Sequence, residues 1–266
     1  MIQLPYLSVL KFTGPDAGTF LHAQLSADIL ALEDGDSGFA TYCTARGQVL
    51  GLLLLGRAED SYFAIGSSEL LPAMAQRLQM FVLRSQVQIE IPQGIEVCGL
   101  LSSDTAAKTG TLFSPANLSL RYFCGAENSD AGQDWGQWKF AELSQGVAWL
   151  DDQTAEKYIP QMLGFDSLGA VNFNKGCYPG QEIVARTRYL GKVKRTPLII
   201  TVEGECKIRN GSVLQVNYGA ENVNGTLVDS APTENGNTLL FIVTRNRNGD
   251  KPAAINYEST SFQVAL

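Results

Sequence analysis

The chain has 266 residues, of which 45% are hydrophobic and 18% charged, and its formal net charge is -7. This length is enough for two domains, or for one large domain with a satellite. An acidic chain is not expected to coat nucleic acid with its whole surface, although it can hold a local basic groove. No basic segment followed by an apolar run stands at the N-terminus, and the most apolar internal stretch, Val49 to Gly56, is too short to span a bilayer. A cytoplasmic protein without a signal peptide is therefore expected.

The N-terminal part of the chain predicts an α+β arrangement with mostly antiparallel strands. Apolar alternation predicts strands, and apolar spacings of three or four residues predict helices. The expected order is strand, helix, three strands, helix and strand, unlike the regular βαβ order of dinucleotide-binding folds, and no glycine-rich phosphate loop occurs. The strands are predicted at 6–12, 39–44, 49–55, 62–65 and 87–91, and the helices from Thr13 to Leu25 and after an N-cap at Ser67 or Ser68.

The rest of the chain predicts further strands, short helices and a separate β region. Strands are expected at 95–101 and 118–124, loops at 103–117 and 126–132, and helices at 134–143 and 154–163. Trp135 and Trp138 are predicted to pack in the core, with a stacking platform for a planar ring as the alternative. From residue 197 onward, β-branched runs alternate with four Asn-Gly pairs, which favour hairpin turns. This pattern predicts a small antiparallel β barrel or sandwich over 197–266.

Cysteine and histidine usage argues against several kinds of site. Five cysteines are scattered singly, and the one histidine is His22. Zinc and iron–sulfur sites use clustered ligands, so no protein-encoded metal site is expected. A Ser-His-Asp or Cys-His mechanism would require His22 to fold against a nucleophile. The simpler prediction is that His22 is a partly exposed helix residue.

Positive charge is concentrated in one segment around Cys177. Residues 171–195 carry six basic side chains and one acidic side chain, Glu182, which gives a net +5 in 25 residues. The rest of the chain therefore carries -12. Such a basic segment in an acidic protein predicts an anion-binding site.

The residues from Lys175 to Glu182 combine a thiol with a tight turn. Gly176 and Gly180 permit the backbone to approach a ligand closely. The Lys175 charge, and the positive end of a helix that begins near Gly180, would favour the thiolate of Cys177. The alternative is a Gly-Pro turn around a buried, inert cysteine.

Four polar side chains in and after this turn suit an anionic heterocyclic ligand. Gln181 and Glu182 offer a carboxamide and a carboxylate to a ring edge that carries both donors and acceptors. Arg186 and Arg188, two residues apart on a strand, would lie on one face and clamp carboxylates. The alternative is a solvated basic strand.

The same segment resembles the signature of the YgfZ family, which are folate-binding relatives of the glycine-cleavage T-protein, an aminomethyltransferase. The resemblance is carried by Lys-Gly-Cys-Tyr-x-Gly-Gln-Glu at 175–182, then Ile-Val-Ala-Arg-Thr at 183–187 and Leu-Gly-Lys-Val-Lys-Arg at 190–195. Weaker matches precede it in the same order, at 20–28, 45–49, 134–138 and 159–161. The resemblance covers nearly the whole chain, and the eight-residue motif is its most specific part.

The resemblance implies an α+β, T-protein-like folate-binding fold of mostly antiparallel sheets with helices, arranged in three parts around a central channel. It implies two α+β subdomains within 1–196 and a small C-terminal antiparallel β barrel over 197–266. The implied cofactor is tetrahydrofolate or a one-carbon derivative. The candidate catalytic residues are Cys177 and Lys175. The folate-binding candidates are Lys175, Gly176, Tyr178, Gln181 and Glu182, with Arg186, Arg188 and Asp28 as secondary candidates.

The family's role lies in maintaining iron–sulfur enzymes. The resemblance therefore implies a monomeric cytoplasmic accessory protein whose partners are folate and iron–sulfur enzymes such as tRNA-thiolating radical enzymes, with tRNA affected indirectly. A second hypothesis is an enzyme that transfers a one-carbon unit to or from tetrahydrofolate, and a third is direct tRNA binding by the basic strand. Aminomethyl transfer itself is not expected. The aminomethyltransferase has a folate-binding aspartate in a hairpin where this chain reads Gln48 to Leu55 without an acid.

Overall fold

The computed structural model describes residues 1–100, 110–115, 118–126, 132, 134–219, 221–247 and 249–265. These ranges contain four α-helices, α1 (Ala17–Gln24), α2 (Leu71–Gln79), α3 (Gly136–Ser144) and α4 (Gln181–Leu190). They also contain fifteen strands: β1 (Ile2–Gln3), β2 (Leu7–Thr13), β3 (Ser37–Cys43), β4 (Val49–Ala58), β5 (Ser61–Ser67), β6 (Gln88–Glu90), β7 (Ile95–Gly99), β8 (Gly110–Phe113), β9 (Tyr122–Ala126), β10 (Arg195–Val202), β11 (Val213–Asn217), β12 (Asn222–Pro232), β13 (Thr238–Arg245), β14 (Ala254–Tyr257) and β15 (Thr260–Gln263). Across the described ranges, no helix is long and apolar enough to cross a membrane.

The first sheet has the antiparallel order β3-β4-β5-β2-β6 and carries a strand that is buried on both faces. In β4, Leu52 and Leu54 enter one core, whereas Leu53 and Leu55 enter another that α1 and α2 cover. A strand buried on both faces is apolar at successive positions rather than alternating. This explains the continuous apolar run in the sequence and the lack of an acid there.

The second sheet has the order β1-β7-β9-β8 and lies beside a buried carboxylate on α3. Glu142 is fully buried. Its oxygens accept hydrogen bonds from four aromatic side chains: Tyr6 Oη at 2.7 Å, Tyr122 Oη at 2.9 Å, Trp149 Nε1 at 3.0 Å and Trp138 Nε1 at 3.3 Å. Burial raises the pKa of Glu142 to about 7, although these donors favour the charged form. The carboxylate thus connects the N-terminal segment, β9 and the chain after α3.

The third sheet, β10-β13-β12-β11-β14-β15, curls until its first and last strands meet. Val202 and Val264 form a bridge, Glu203 N–H donates to Gln263 O at 2.9 Å, and Ala265 N–H donates to Thr201 O at 2.9 Å. Apolar side chains such as those of Leu214 and Leu240 fill the interior. The predicted antiparallel C-terminal barrel is confirmed.

The largest apolar core lies where the three sheets meet. It contains Leu52 from the first sheet, Tyr122 from the second and Phe241 from the third. An ion pair also joins α3 to the barrel, since Lys139 Nζ lies 2.7 Å from Asp229 Oδ1. The sheets are therefore held together by one shared core, which confirms the α+β class.

Several local predictions were wrong. The region 154–163 is a set of turns with a 3-10 turn at Pro160–Met162, because its backbone pairs with the start of β4 rather than with itself. Val49 N–H donates to Tyr158 O and Glu156 N–H donates to Val49 O, both at 2.8 Å. The predicted N-cap at Ser67 or Ser68 is replaced by Leu70, and α2 begins with a proline in its first turn.

Other differences concern loops and one tryptophan. Strand β8 lies in a region predicted as a loop, and the remainder of the predicted loops at 103–117 and 126–132 falls mostly outside the described residues. The Asn224-Gly225 pair lies inside β12, where a Cβ on Gly225 would come within 2.6 Å of Ile242 Cγ2, so close packing rather than a turn requires the glycine. Trp138 is in the core as predicted, but Trp135 is 37% exposed and packs on Tyr6.

Glu142→Gln is expected to flatten the pH dependence of stability between about pH 4.5 and 7. The folded carboxyl keeps its proton in this range while the unfolded one has lost it, so the stability of the wild type falls as pH rises. The rise from 4.5 to about 7 corresponds to about 3 kcal/mol. Glutamine keeps the Oε1 acceptor, and its amide donates to the Tyr6 hydroxyl.

Urea unfolding at several pH values measures this effect. The exposed Glu205→Gln is the matched control and should leave the wild-type profile unchanged. Equal pH profiles for the wild type and Glu142→Gln would show that the buried carboxyl does not control this dependence.

Candidate functional site

A buried serine fixes the start of the thiol loop, defined here as residues 172–180. The Ser26 hydroxyl donates to Ala170 O, and its oxygen lies 2.7 Å from Thr41 Oγ1. Because a hydroxyl has one proton, Thr41 is the donor in that second bond. Asn172 N–H donates to Ser26 O at 2.9 Å. These bonds hold the beginning of the loop against β3 and the end of α1.

The ammonium group of Lys175 closes the C-terminal end of α1. Lys175 is buried, and its Nζ donates to the carbonyl oxygens of His22 and Leu25, the second at 2.7 Å. Carbonyls in the last turn of a helix lack intrahelical partners and attract cations. The Tyr178 ring centre lies 5.3 Å from Nζ. Lys175 therefore points into the protein and positions the loop.

Burial changes the protonation of this lysine. It lowers the pKa of Lys175 to about 8, against the opposing influence of Asp28 and Cys177. The two carbonyl bonds and the tyrosine ring replace part of the water that the ammonium loses. A lysine with such a pKa is partly neutral just above neutral pH.

His22 lies between Asp28 and the thiol loop. Its Nδ1 is 3.2 Å from Asp28 Oδ1, and its Nε2 would be 3.7 Å from a Cβ added at Gly176. Burial, followed by the Lys175 charge, lowers the pKa of His22, so the ring is neutral at neutral pH. Nδ1 is buried and makes no aligned hydrogen bond to the carboxylate, and Nε2 lies on the side of Gly176. His22 is also partly exposed on a helix, as predicted.

Two glycines bring the thiol loop onto the turn between β3 and β4. Gly180 has φ +83°, and a Cβ there would lie 2.4 Å from Thr44 O and 2.5 Å from Gly47 Cα. Gly47 has φ +74°, and a Cβ there would lie 3.1 Å from Gly180 O. The positive φ favours glycine at both positions, and at Gly180 the neighbouring backbone also leaves no room for a Cβ. The contact fixes the start of α4.

Gln161 holds α4 from a second side. It is buried, and its Nε2 donates to Val184 O at 2.7 Å. The 3-10 turn that carries Gln161 follows the segment paired with β4. The turn at 45–48 is far in sequence from residues 159–161 and from the thiol loop, and all three meet at α4.

Cys177 differs from the other cysteines because it is exposed. Cys43, Cys98, Cys124 and Cys206 are buried. The buried, inert cysteine considered from the sequence does not describe Cys177. The loop is anchored on both sides of the thiol, by Lys175 before it and by Gly180 after it.

The prediction that Arg186 and Arg188 lie on one face of a strand was wrong. Both belong to α4, where residues two apart point to nearly opposite sides. Gly180 gives the helix its start, and Glu182 in the first turn and Arg188 in the last turn complement its dipole. The Arg188 guanidinium stacks 5.4 Å from the Phe173 ring centre.

The polar side chains at the start of α4 have different roles. Gln181 Nε2 donates to Lys175 O at 3.3 Å and so folds back onto the thiol loop. Glu182 is exposed. Glu182 is therefore the carboxylate of the motif that faces solvent next to the loop.

The remaining basic residues of the segment lie elsewhere. Beyond α4, Lys192, Lys194 and Arg195 line a cavity of about 1090 Å3 together with Arg245 and the segment 221–224. This cavity is called the basic cleft below. The single basic site expected from the sequence is thus divided into a thiol loop with a buried lysine and a separate basic cleft.

The sequence assigned no role to several residues that build the site. Ser26, Gly47 and Gln161 lie inside or beside segments that carry the YgfZ resemblance, which was the available signal. Their function depends on contacts between distant segments, and residue type alone does not reveal such contacts. Lys175, Gly176 and Asp28 lie near the end of α1, and Tyr178 and Gln181 contact Lys175.

No family model matches the chain. Its relatives include an uncharacterized protein of Haemophilus influenzae, 26% identical over 92% of this chain and 89% of its own length. Two proteins called tRNA-modifying protein YgfZ, from Colwellia psychrerythraea and Photobacterium profundum, are 23% and 24% identical. They cover 95% and 96% of this chain and 87% and 88% of their own lengths. The chain resembles the YgfZ proteins over most of its length.

Among solved structures, the aminomethyltransferase T of the glycine cleavage system from Bartonella henselae has the same fold. The TM-score is 0.72, over 99% of this chain and 83% of the other, at 13% sequence identity. At that identity the likeness concerns the fold alone. The T-protein-like fold that the YgfZ resemblance implied is confirmed.

Gly180→Ala is expected to destabilise the protein more than Gly204→Ala. Both glycines have positive φ, +83° and +77°, so alanine costs about 1–2 kcal/mol at each for its conformation. At Gly180 the new Cβ also meets the 44–47 turn, whereas nothing lies within 4 Å at Gly204. The additional loss should be about 1–3 kcal/mol, measured by urea unfolding. Equal losses would mean that the glycine contact does not hold α4.

Cys177 is expected to react with N-ethylmaleimide at least about tenfold faster than the other cysteines, because the reactive thiolate must be accessible and formed. Burial raises the pKa of Cys43 to about 12 and that of Cys98 and Cys206 to about 11, which suppresses their thiolates. Peptide mass spectrometry of the native protein gives the rates, and the unfolded protein is the control. Labelling of Cys206 as fast as Cys177 would contradict the prediction.

Proposed function

We propose that this chain is a tetrahydrofolate-binding accessory protein that supports tRNA modification by maintaining iron–sulfur enzymes. The observation that carries the proposal is an exposed Cys177 on an anchored loop within a T-protein-like fold. Several relatives are called tRNA-modifying protein YgfZ, which supports the connection to tRNA. The parts of the proposal that concern folate binding and iron–sulfur enzymes rest on the resemblance to the YgfZ family.

The side chains at the thiol loop fit a folate in their chemistry. Glu182 offers an exposed carboxylate to the N–H and amino edge of a pterin ring. His22 presents Nε2 of a neutral ring beside Gly176. Arg186 is exposed on α4 and would pair with the glutamate carboxylates of the cofactor. Lys175 acts through the position of the loop, since its ammonium is bonded to α1.

Support of other enzymes is favoured over aminomethyl transfer by the structure of β4. The resemblance to the aminomethyltransferase implies that the folate-binding aspartate of that enzyme would fall within the hairpin at residues 48–55. Here β4 is buried on both faces, so a charged carboxylate there would be costly. Asp28 is a carboxylate that the chain provides at the site instead, and it is directed at His22. One-carbon transfer of another kind remains the second candidate, because Cys177 is an accessible thiol.

Glu182→Gln is expected to weaken tetrahydrofolate binding by about tenfold or more, because a hydrogen bond to a charged group contributes about 1.5–3 kcal/mol. Lys175→Met should weaken binding and also lower the stability of the protein, since it frees the end of α1. Isothermal titration calorimetry measures the affinity, with the exposed Glu203→Gln as the matched control. Unchanged affinity in both Glu182→Gln and Lys175→Met would show that folate does not bind at this loop.

Two further measurements separate the accessory role from catalysis. Turnover of a one-carbon folate by the purified protein, lost in Cys177→Ala, would establish the transferase instead. Without such turnover, a loss of cellular iron–sulfur enzyme activity in Cys177→Ala supports the accessory role. Normal activity of those enzymes in the variant would count against it.

A further inference from the structure

We propose that the basic cleft binds the phosphate backbone of a single-stranded RNA segment, as a contact separate from the folate site. The cleft lies between the linker after α4 and the rim of the barrel. Its cations are Lys192, Lys194, Arg195 and Arg245, and the one acidic side chain among its lining residues is Glu221. A net +3 in one cavity of a chain whose total is -7 is a strong local concentration of positive charge.

Two of these cations stand directly opposite each other. Arg195 of β10 and Arg245 of β13 are antiparallel register partners, so their side chains project from the same face of the sheet. Like charges at opposing positions destabilise a sheet. A ligand of negative charge would relieve this repulsion, which makes the pair suited to binding an anion rather than to stabilising the barrel.

The internal counterion neutralises the cleft incompletely. Glu221 Oε1 lies 3.6 Å from Arg245 Nη1, while Oε2 of the same carboxylate is bonded to Arg247. One carboxylate is therefore shared by two arginines. Lys192, Lys194 and Arg195 are all exposed, and their charges are available to a ligand in the cleft.

The shape and the surroundings favour an extended polyanion. The cavity of about 1090 Å3 is wider than one inorganic anion needs, and Asn222 and Asn224 line it with polar groups. Tyr189, three residues before Lys192, is 65% exposed and meets Phe173 edge-on. An exposed aromatic ring three residues before a run of exposed cations gives one segment both elements that bind unpaired nucleic acid, since cations bind its backbone and rings stack on its bases. An acidic peptide would use the charges but would not need the ring.

The choice of tRNA as the probe rests on the proposed function, but the cleft is tested independently of folate. Fluorescence anisotropy with an unmodified tRNA transcript and a short single-stranded RNA measures affinity as a function of salt. With four phosphate contacts, the slope of log K against log salt should be about -3. Arg195→Gln with Arg245→Gln should bring the slope to about -1.5 and weaken binding about tenfold or more at low salt. The thermal stability of this double variant should be unchanged or higher.

A second variant separates stacking from charge. Tyr189→Ala should weaken binding of single-stranded RNA about tenfold while leaving the salt slope unchanged. The charge-matched control is Lys207→Gln with Lys251→Gln, two exposed lysines that do not line the cleft. This control should retain both the affinity and the slope.

Several results would overturn the proposal. The first is that the wild type does not bind RNA at low salt. The second is that the arginine double variant binds RNA as tightly as the wild type. The third is that the lysine control loses as much affinity as the arginine double variant. If polyglutamate binds in the cleft and RNA does not, the cleft is a binding site for an acidic peptide instead. Cys177→Ala and Glu182→Gln should keep RNA binding, and the arginine double variant should keep folate binding, so that failure of one site is distinguishable from failure of the other.

Discussion

The buried ammonium of Lys175 is the interaction on which the site depends. It replaces the missing hydrogen-bond partners at the end of α1 and, in doing so, fixes the first half of the thiol loop. A lysine in this place loses much of its hydration, which is why its pKa is lowered. Its role is therefore to position Cys177 and to place a charge beneath the loop, rather than to reach toward a ligand in solvent.

The second half of the loop is fixed by steric contact rather than by charge. Gly180 approaches the 44–47 turn so closely that it leaves no room for a Cβ, and Gln161 holds the next turn of α4. Because contacts on both sides of Cys177 hold the backbone of the loop, the exposed thiol is presented to solvent from a fixed position. This combination of a fixed backbone and an accessible thiol suits binding or transfer chemistry more than packing. The folate proposal uses both properties.

The basic residues of the central segment are divided between the thiol loop and the basic cleft. Within the thiol loop the lysine is internal and Cys177 is exposed, and Glu182 is exposed in the first turn of α4. At the far end of α4, the lysines and arginines meet Arg245 of the barrel and form the basic cleft. The two ends of α4 therefore present chemically different surfaces. One suits a heterocyclic ligand, and the other suits a long polyanion. The folate and RNA proposals assign each surface to the ligand that its chemistry fits.

The sequence by itself determined the fold class, the antiparallel β character of residues 197–266 and the apolar run that becomes β4, and it singled out the Lys175–Glu182 motif as the candidate site. Apolar periodicity and turn residues are local, and they act in the same way wherever the chain folds. The tertiary structure decided that Lys175 is internal, that Arg186 and Arg188 belong to a helix, and that Arg195 faces Arg245. It also brought Ser26 and Gly47 to the thiol loop and Gln161 to α4. These features depend on contacts between residues that are far apart in the chain, and such contacts follow from packing and not from the local pattern of residues.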